Sequence, residues 1–95
     1  MLKHRHFFMD TNWEISFKEK LDEHYKWPSV YIFKFIILAG HEELVYALMP
    51  DARFRNNPSS NGKYTSVTFE SNMQSADAVI EIYKKASAIK GLIAL

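Results

Sequence analysis

The sequence predicts one α+β domain: a four-stranded antiparallel sheet with two helices on one face and an additional helix before it. Three observations predict it. The run Ser29 to Leu38 is almost wholly β-branched and aromatic, with only Ser29 and Lys34 polar. Two strand-like segments flank Pro58 to Gly62, whose Asn61-Gly62 pair supplies the positive φ values a hairpin turn wants. Ser75 precedes an amphipathic stretch with Val79, Ile80, Tyr83 and Ala86 on one stripe.

Length and composition bound the rest. A chain of 95 residues makes one domain. Hydrophobic residues at 47% and aromatics at 15% support a packed core rather than disorder. A domain of this size buries only about two-thirds of its unfolded surface, so its stability margin is small and shared burial in a homodimer is useful. Twelve Lys and Arg against eleven Asp and Glu leave a net charge of +1, which argues against bulk capture of nucleic acid. The chain has no cysteine, which excludes disulfides, thiolate nucleophiles, zinc–thiolate sites and iron–sulfur clusters. Small secreted domains are usually disulfide-dense, so a cytoplasmic location is expected. Phe7-Phe8-Met9 is too short for a signal-peptide core, and no segment reads as a spanning helix, so no membrane association is expected.

In chain order, residues 1–26 read as an N-terminal tail and short helix, and residues 27–95 as the domain proper. The first dozen residues look like a loosely held tail. Ser16-x-x-Glu19 has the form of a capping box, and Phe17, Leu21, His24 and Tyr25 follow at helical spacing. A helix over Phe17 to Tyr25 is therefore expected, ended by Pro28. Ser29 to Leu38 is the central strand, and its two apolar faces predict cover on both sides. Ala39-Gly40 breaks it. His41 to Met49 reads as a helix with Leu44, Val45 and Leu48 on one face, ended by Pro50-Asp51.

Ala52 to Asn57 alternates, with Phe54 on one side and Arg53 and Arg55 on the other. Lys63 to Ser71 is its partner strand; Val67 and Phe69 point one way, and Tyr64, Ser66, Thr68 and Glu70 the other. A helix runs from Ala76 to about Ala88. Gly91 stops it, and Leu92 to Leu95 makes a last strand. The order after the first helix is strand, helix, strand, strand, helix, strand, the ferredoxin-like βαββαβ sandwich. Ser29–Leu38 and Lys63–Ser71 are expected in the middle of the sheet and Leu92–Leu95 at an edge.

Trp27-Pro28-Ser29, Phe33-Lys34-Phe35-Ile36, the hairpin Ser59-Ser60-Asn61-Gly62-Lys63-Tyr64-Thr65-Ser66-Val67-Thr68 and Ile82-Tyr83 resemble the YbeD-like family of small bacterial proteins of unknown function. The resemblance runs from about Trp27 to Leu95. Members of that family look like the ACT-type regulatory domains of amino-acid metabolic enzymes, and a link to lipoate metabolism has been proposed for them. The resemblance implies the same fold and a regulatory or binding role. ACT-type domains join sheets side by side and bind ligands near the loop after the first strand, so by resemblance Ala39, Gly40 and His41 become ligand-loop candidates.

The residues themselves do not assemble a reaction. A nucleophile needs an activating base within hydrogen-bond reach, and none of His4, His6, His24 and His41 sits in a signature with Ser or Asp. His4-x-His6 is read as a solvated tail pair rather than a metal site. Asp22-Glu23 and Glu42-Glu43 are sequence neighbours, which point about 100° apart on a helix and form no dyad. No catalytic residue, metal or cofactor is expected. The turn with Asn61, Gly62 and Lys63 lacks P-loop spacing and precedes a strand, so it reads first as a turn. Its narrower functional reading is a set of N–H groups and hydroxyls able to take a carboxylate or a partner backbone.

More informative is the sheet face turned away from the helices. Val30, Ile32, Lys34, Ile36 and Leu38 are expected there, joined by Arg53, Arg55, Tyr64, Ser66, Thr68 and Glu70. Apolar patches of that kind are covered or bind something. The Phe17–Tyr25 helix, a second subunit, or a ligand or partner are the available covers, and the chain's own helix is the most economical. Lys34 needs a partner or a path to water, and Glu70 and the hydroxyls of Ser66 and Thr68 on the neighbouring strand are the partners expected for it, an ion pair with Glu70 first. Its sharper reading makes Lys34, Arg53 and Arg55 an attracting set for a small acid. RNA readers of this shape stack bases on exposed aromatics, and this face offers mainly Tyr64. The expected function is a non-catalytic regulatory or ligand-sensing module binding a small carboxylate, or else a protein-interaction adaptor without a ligand. The unguarded Leu92–Leu95 edge makes a homodimer the expected assembly.

Overall fold

The computed structural model describes residues 11–95. Its elements are α1 (Thr11–His24), β1 (Ser29–Leu38), α2 (Glu42–Tyr46), β2 (Arg53–Pro58), β3 (Tyr64–Met73), α3 (Ala76–Ala86) and β4 (Ile93–Ala94). The strands form one sheet in the order β2-β3-β1-β4, with every neighbouring pair antiparallel. This agrees with the predicted ferredoxin-like βαββαβ order, preceded by an extra helix.

β1 covers the residues predicted for it. Phe33, Phe35 and Ile37 are fully buried because alternate side chains of a strand share one face, and that face meets the helices. Phe33 stands opposite Phe69 and Phe35 opposite Val67 on β3. The rings of Phe33 and Phe69 stack at 4.8 Å, and Phe54 of β2 packs on Phe69 at 4.9 Å. α3 completes the layer with Val79, Ile80, Tyr83 and Ala86, as its stripe predicted, together with Ala76 and Ile82. The Ser75 Oγ accepts a hydrogen bond from the Ala78 N–H at 3.1 Å, the expected N-cap. Gly62 and Gly91 both have positive φ, at 74° and 78°, and each ends a segment where a side chain would be strained.

Several expectations change. α1 starts at Thr11, so Ser16 lies inside the helix and caps nothing. Trp13 stacks on Phe17 at 4.8 Å, extending the apolar i, i+4 row of Phe17 and Leu21 backwards by one turn. α2 is a single α-helical turn, and Leu48 and Met49 instead close on Val45 and Tyr46 three residues back. The tightening is of the 3₁₀ kind and precedes Pro50. Leu44 points outward at 49% exposure, while Val45 is fully buried. α3 ends at Ala86, two residues early, and β4 is only Ile93–Ala94.

The largest correction concerns cover. β1 is central but covered on one face only. α1 does not cross the open face; it lies beside α3 on the helix side. Leu21 is 3% exposed in the core, Phe17 meets Tyr83 edge-on at 5.5 Å, and Glu14 pairs with Lys84 at 3.1 Å. The Lys3–His6 tail and the His4-x-His6 pair lie outside the described residues.

Candidate functional site: the open sheet face

The register of the strands builds the open face row by row. Ile32 stands opposite Glu70, which stands opposite Arg53 on its other side. In the next row Lys34 stands opposite Thr68, and Thr68 opposite Arg55. Then come Ile36, Ser66 and Asn57, with Ile93 of β4 beside Ile36. Leu38 and Tyr64 close the end of the β1–β3 ladder. All eleven residues expected on this face lie in the strand phase opposite the buried Phe33, Phe35, Ile37, Val67 and Phe69.

The face has two chemical zones. On the β1 and β4 side it is aliphatic, with Val30 at 54%, Ile32 at 58% and Ile93 at 52% exposure. On the β2 and β3 side it carries Arg53, Arg55, Ser66, Thr68 and Tyr64. Three exposed cations, Lys34, Arg53 and Arg55, share it with the carboxylate of Glu70. Of the partners expected for Lys34, the register sets Thr68 opposite it and puts Glu70 against Ile32 and Arg53, so the ion pair with Glu70 is not formed. No ion pair among the described residues includes Lys34, which stands exposed to water. Lys34 and Arg55 lie two strands apart, about 10 Å by the usual spacing of a sheet.

The hairpin beyond this face is self-contained. The Asn61 Oδ1 accepts from the Ser59 hydroxyl at 2.8 Å and from the Lys63 N–H at 3.0 Å. Ser59 Oγ accepts from the Tyr64 N–H at 3.2 Å, and the Gly62 N–H donates to the Ser59 carbonyl at 3.0 Å. The Gly62 and Lys63 N–H groups thus already donate within the turn, and Asn61 contributes its side-chain oxygen as the acceptor. Its Asx geometry holds the β2–β3 register.

In the loop after β1 the Gly40 donor is occupied, while the buried His41 Nδ1 has no hydrogen-bond partner among the described residues. The Gly40 N–H donates to Glu42 Oε1 at 2.9 Å. The Glu42 carboxyl is held below its ordinary range, first by its own backbone N–H, against some burial, with help from Thr65, Gly40 and His41. Thr65 is the one buried polar residue among those described, at 3% exposure. The structure therefore brings Lys34, Arg53, Arg55, Ser66, Thr68 and Tyr64 onto one face, and puts Gly40 and the Asn61–Lys63 turn outside it.

One polar contact escaped the sequence reading. The hydroxyls of Tyr31 and Tyr83 meet at 3.0 Å inside the aromatic cluster. Burial raises both phenols above the ordinary tyrosine range. Tyr31 shares the phase of Phe33 and Phe35 on β1, and Tyr83 lies in the buried stripe of α3; only their docking puts the two together. The pair is a structural element of the core.

The family described as "Protein of unknown function (DUF493)" matches residues 22–95. The chain belongs to that family, which bears out the YbeD-like resemblance and extends it back into the last turn of α1. No curated protein and no solved structure matches the chain.

Proposed function

We propose that this DUF493 member is a non-catalytic regulatory module that works by binding, with the open sheet face as its working surface. One observation carries the reading. Val30 and Ile32 are more than half exposed on a central strand, beside the cations Lys34, Arg53 and Arg55. A domain this small has little apolar surface to leave wet, so a contiguous aliphatic strip with a cationic flank favours a contact surface. Apart from Glu70 and Asn57, its polar groups are cations and hydroxyls, which attract and orient an acid rather than move protons near neutral pH.

The ligand is then an acid: a small carboxylate in the sensor reading, or an acidic partner in the adaptor reading. The adaptor is favoured because an acidic partner can also cover Val30 and Ile32, which a small carboxylate leaves in water. The cysteine-free composition favours the cytoplasm, and the short β4 edge favours side-by-side pairing of two copies.

Thermal unfolding against a panel of small acids, including amino acids, lipoate and octanoate, tests the sensor arm. A true ligand at a hundred times its dissociation constant adds about 2.7 kcal/mol and raises the midpoint by several degrees. That shift must disappear in Lys34→Met and Arg55→Met. A saturable shift that survives both substitutions would remove the face from the reading.

A further inference from the structure

We infer that the open face takes an amphipathic acidic helix of another protein, its aliphatic stripe on the β1–β4 side and its carboxylates over Arg53, Arg55 and Lys34. The inference rests on the reading of this face as the binding surface. Edges of sheets take strands, whereas faces take helices. Four strands span about 14 Å, and a helix is about 10 Å across, so one helix fits the face. The zoning then sets the sequence it must present. Val30, Ile32 and Ile93 need aliphatic contacts, while Arg55 faces only the neutral Thr68 and Lys34 pairs with no carboxylate among the described residues. Glu70 stands opposite Arg53 in the register, one carboxylate on the face against three cations.

Charge argues against the other occupants. A second copy placed face to face would set cations on cations. Residues 1–10 of the chain carry Lys3, His4, Arg5 and His6 against Asp10, the wrong sign for this surface. A nucleic acid would meet the cations but leave the aliphatic zone uncovered, and among the described residues Tyr64 is the one aromatic on the face available for stacking. A small acid would satisfy the cations and leave Val30 and Ile32 in water.

The test is selection of random peptides displayed on phage against the full chain. The expected winners carry net negative charge with aliphatic residues at helical i, i+3 and i+4 spacing. A synthetic winner should bind at least about tenfold more weakly to R53E/R55E, and its affinity should fall as salt rises. Both substituted residues are exposed, so the unfolding midpoint of the variant serves as a control for folding. Backbone amide shifts must map to β1, β2 and β3. Winners that are neutral or basic, or no winners at all, overturn the acidic helix. If such winners still shift amides of the face, the binding surface stands and only the partner class falls. Winners that shift amides elsewhere overturn both. Binding of an oligonucleotide, or self-association, that maps to the face and depends on Arg53 and Arg55 also overturns the acidic helix while leaving the surface in place.

Discussion

Ile32 and Phe33 are adjacent in β1, and their replacement should have opposite consequences. Phe33 is fully buried and touches four other rings, with Tyr31 and Phe69 at 4.8 Å, Tyr83 at 5.5 Å and Phe35 at 6.2 Å. Phe33→Ala removes that contact and leaves a cavity that close-packed neighbours fill poorly, at about 3–5 kcal/mol. A domain of 95 residues has about 5–14 kcal/mol in total. The variant therefore loses between about a quarter of its stability and nearly all of it. Ile32 is 58% exposed on the open face, so Ile32→Ser should cost under about 1 kcal/mol. Urea unfolding followed by far-UV circular dichroism measures both, since the transition midpoint falls in proportion to the lost stability at constant slope. The difference between the two variants should exceed about 2 kcal/mol. A cost of several kcal/mol for Ile32→Ser would mean that something in the folded chain covers this face, and the argument for a binding surface would fail with it.

Three further outcomes follow from the packing. Leu21→Ala should cost about 2–5 kcal/mol and loosen α1, because Leu21 is 3% exposed in the core; proteolysis within α1 should accelerate, and an unchanged cleavage rate would contradict the docking of α1 on α3. Gly91→Ala should lower the thermal midpoint by several degrees, since φ is +78° and a Cβ would come within 3.0 Å of Leu38; a rise in the midpoint would refute the strained turn. Tyr31 and Tyr83 titrate above the unfolded value of 10.0 because burial favours their neutral forms. Their stabilising contribution is complete below pH 10 and is lost as pH rises above it, because the unfolded chain ionises first. Unfolding measured from pH 8 to pH 11 should show this alkaline loss, and Tyr83→Phe should reduce its slope.

The candidate face was legible in large part before any tertiary information. Strand periodicity alone put Lys34 in phase with Ile32 and Ile36, and Arg53 in phase with Arg55. What periodicity could not supply was the partner of each residue across the sheet. Glu70 looked like the neighbour of Lys34 until the register set it against Ile32 and Arg53. The turn residues were equally ambiguous. Asn61 and Lys63 suit both a turn and an anion site, and only the tertiary structure gives the hydrogen bonds to Ser59 and within the loop that make the turn. Tyr31 and Tyr83 read as core residues, with no local sign that their hydroxyls would meet.

From the sequence alone came the order of elements along the chain, the location of β1, the hairpin, the Ser75 cap and the phases of β1, β2 and β3. These follow from rules acting over a few residues: the two-residue repeat of a strand, the positive φ of glycine, and a side chain reaching a nearby N–H. The placement of α1 was different. β1 is apolar on both faces, so its pattern accommodates a helix on either side equally well. Tertiary structure made the choice through Phe17 on Tyr83, Glu14 on Lys84 and Leu21 in the core. Those contacts join α1 to α3, elements far apart in sequence, and no local pattern encodes which pair of surfaces will bury each other. With α1 beside α3, the other face of the sheet was left open.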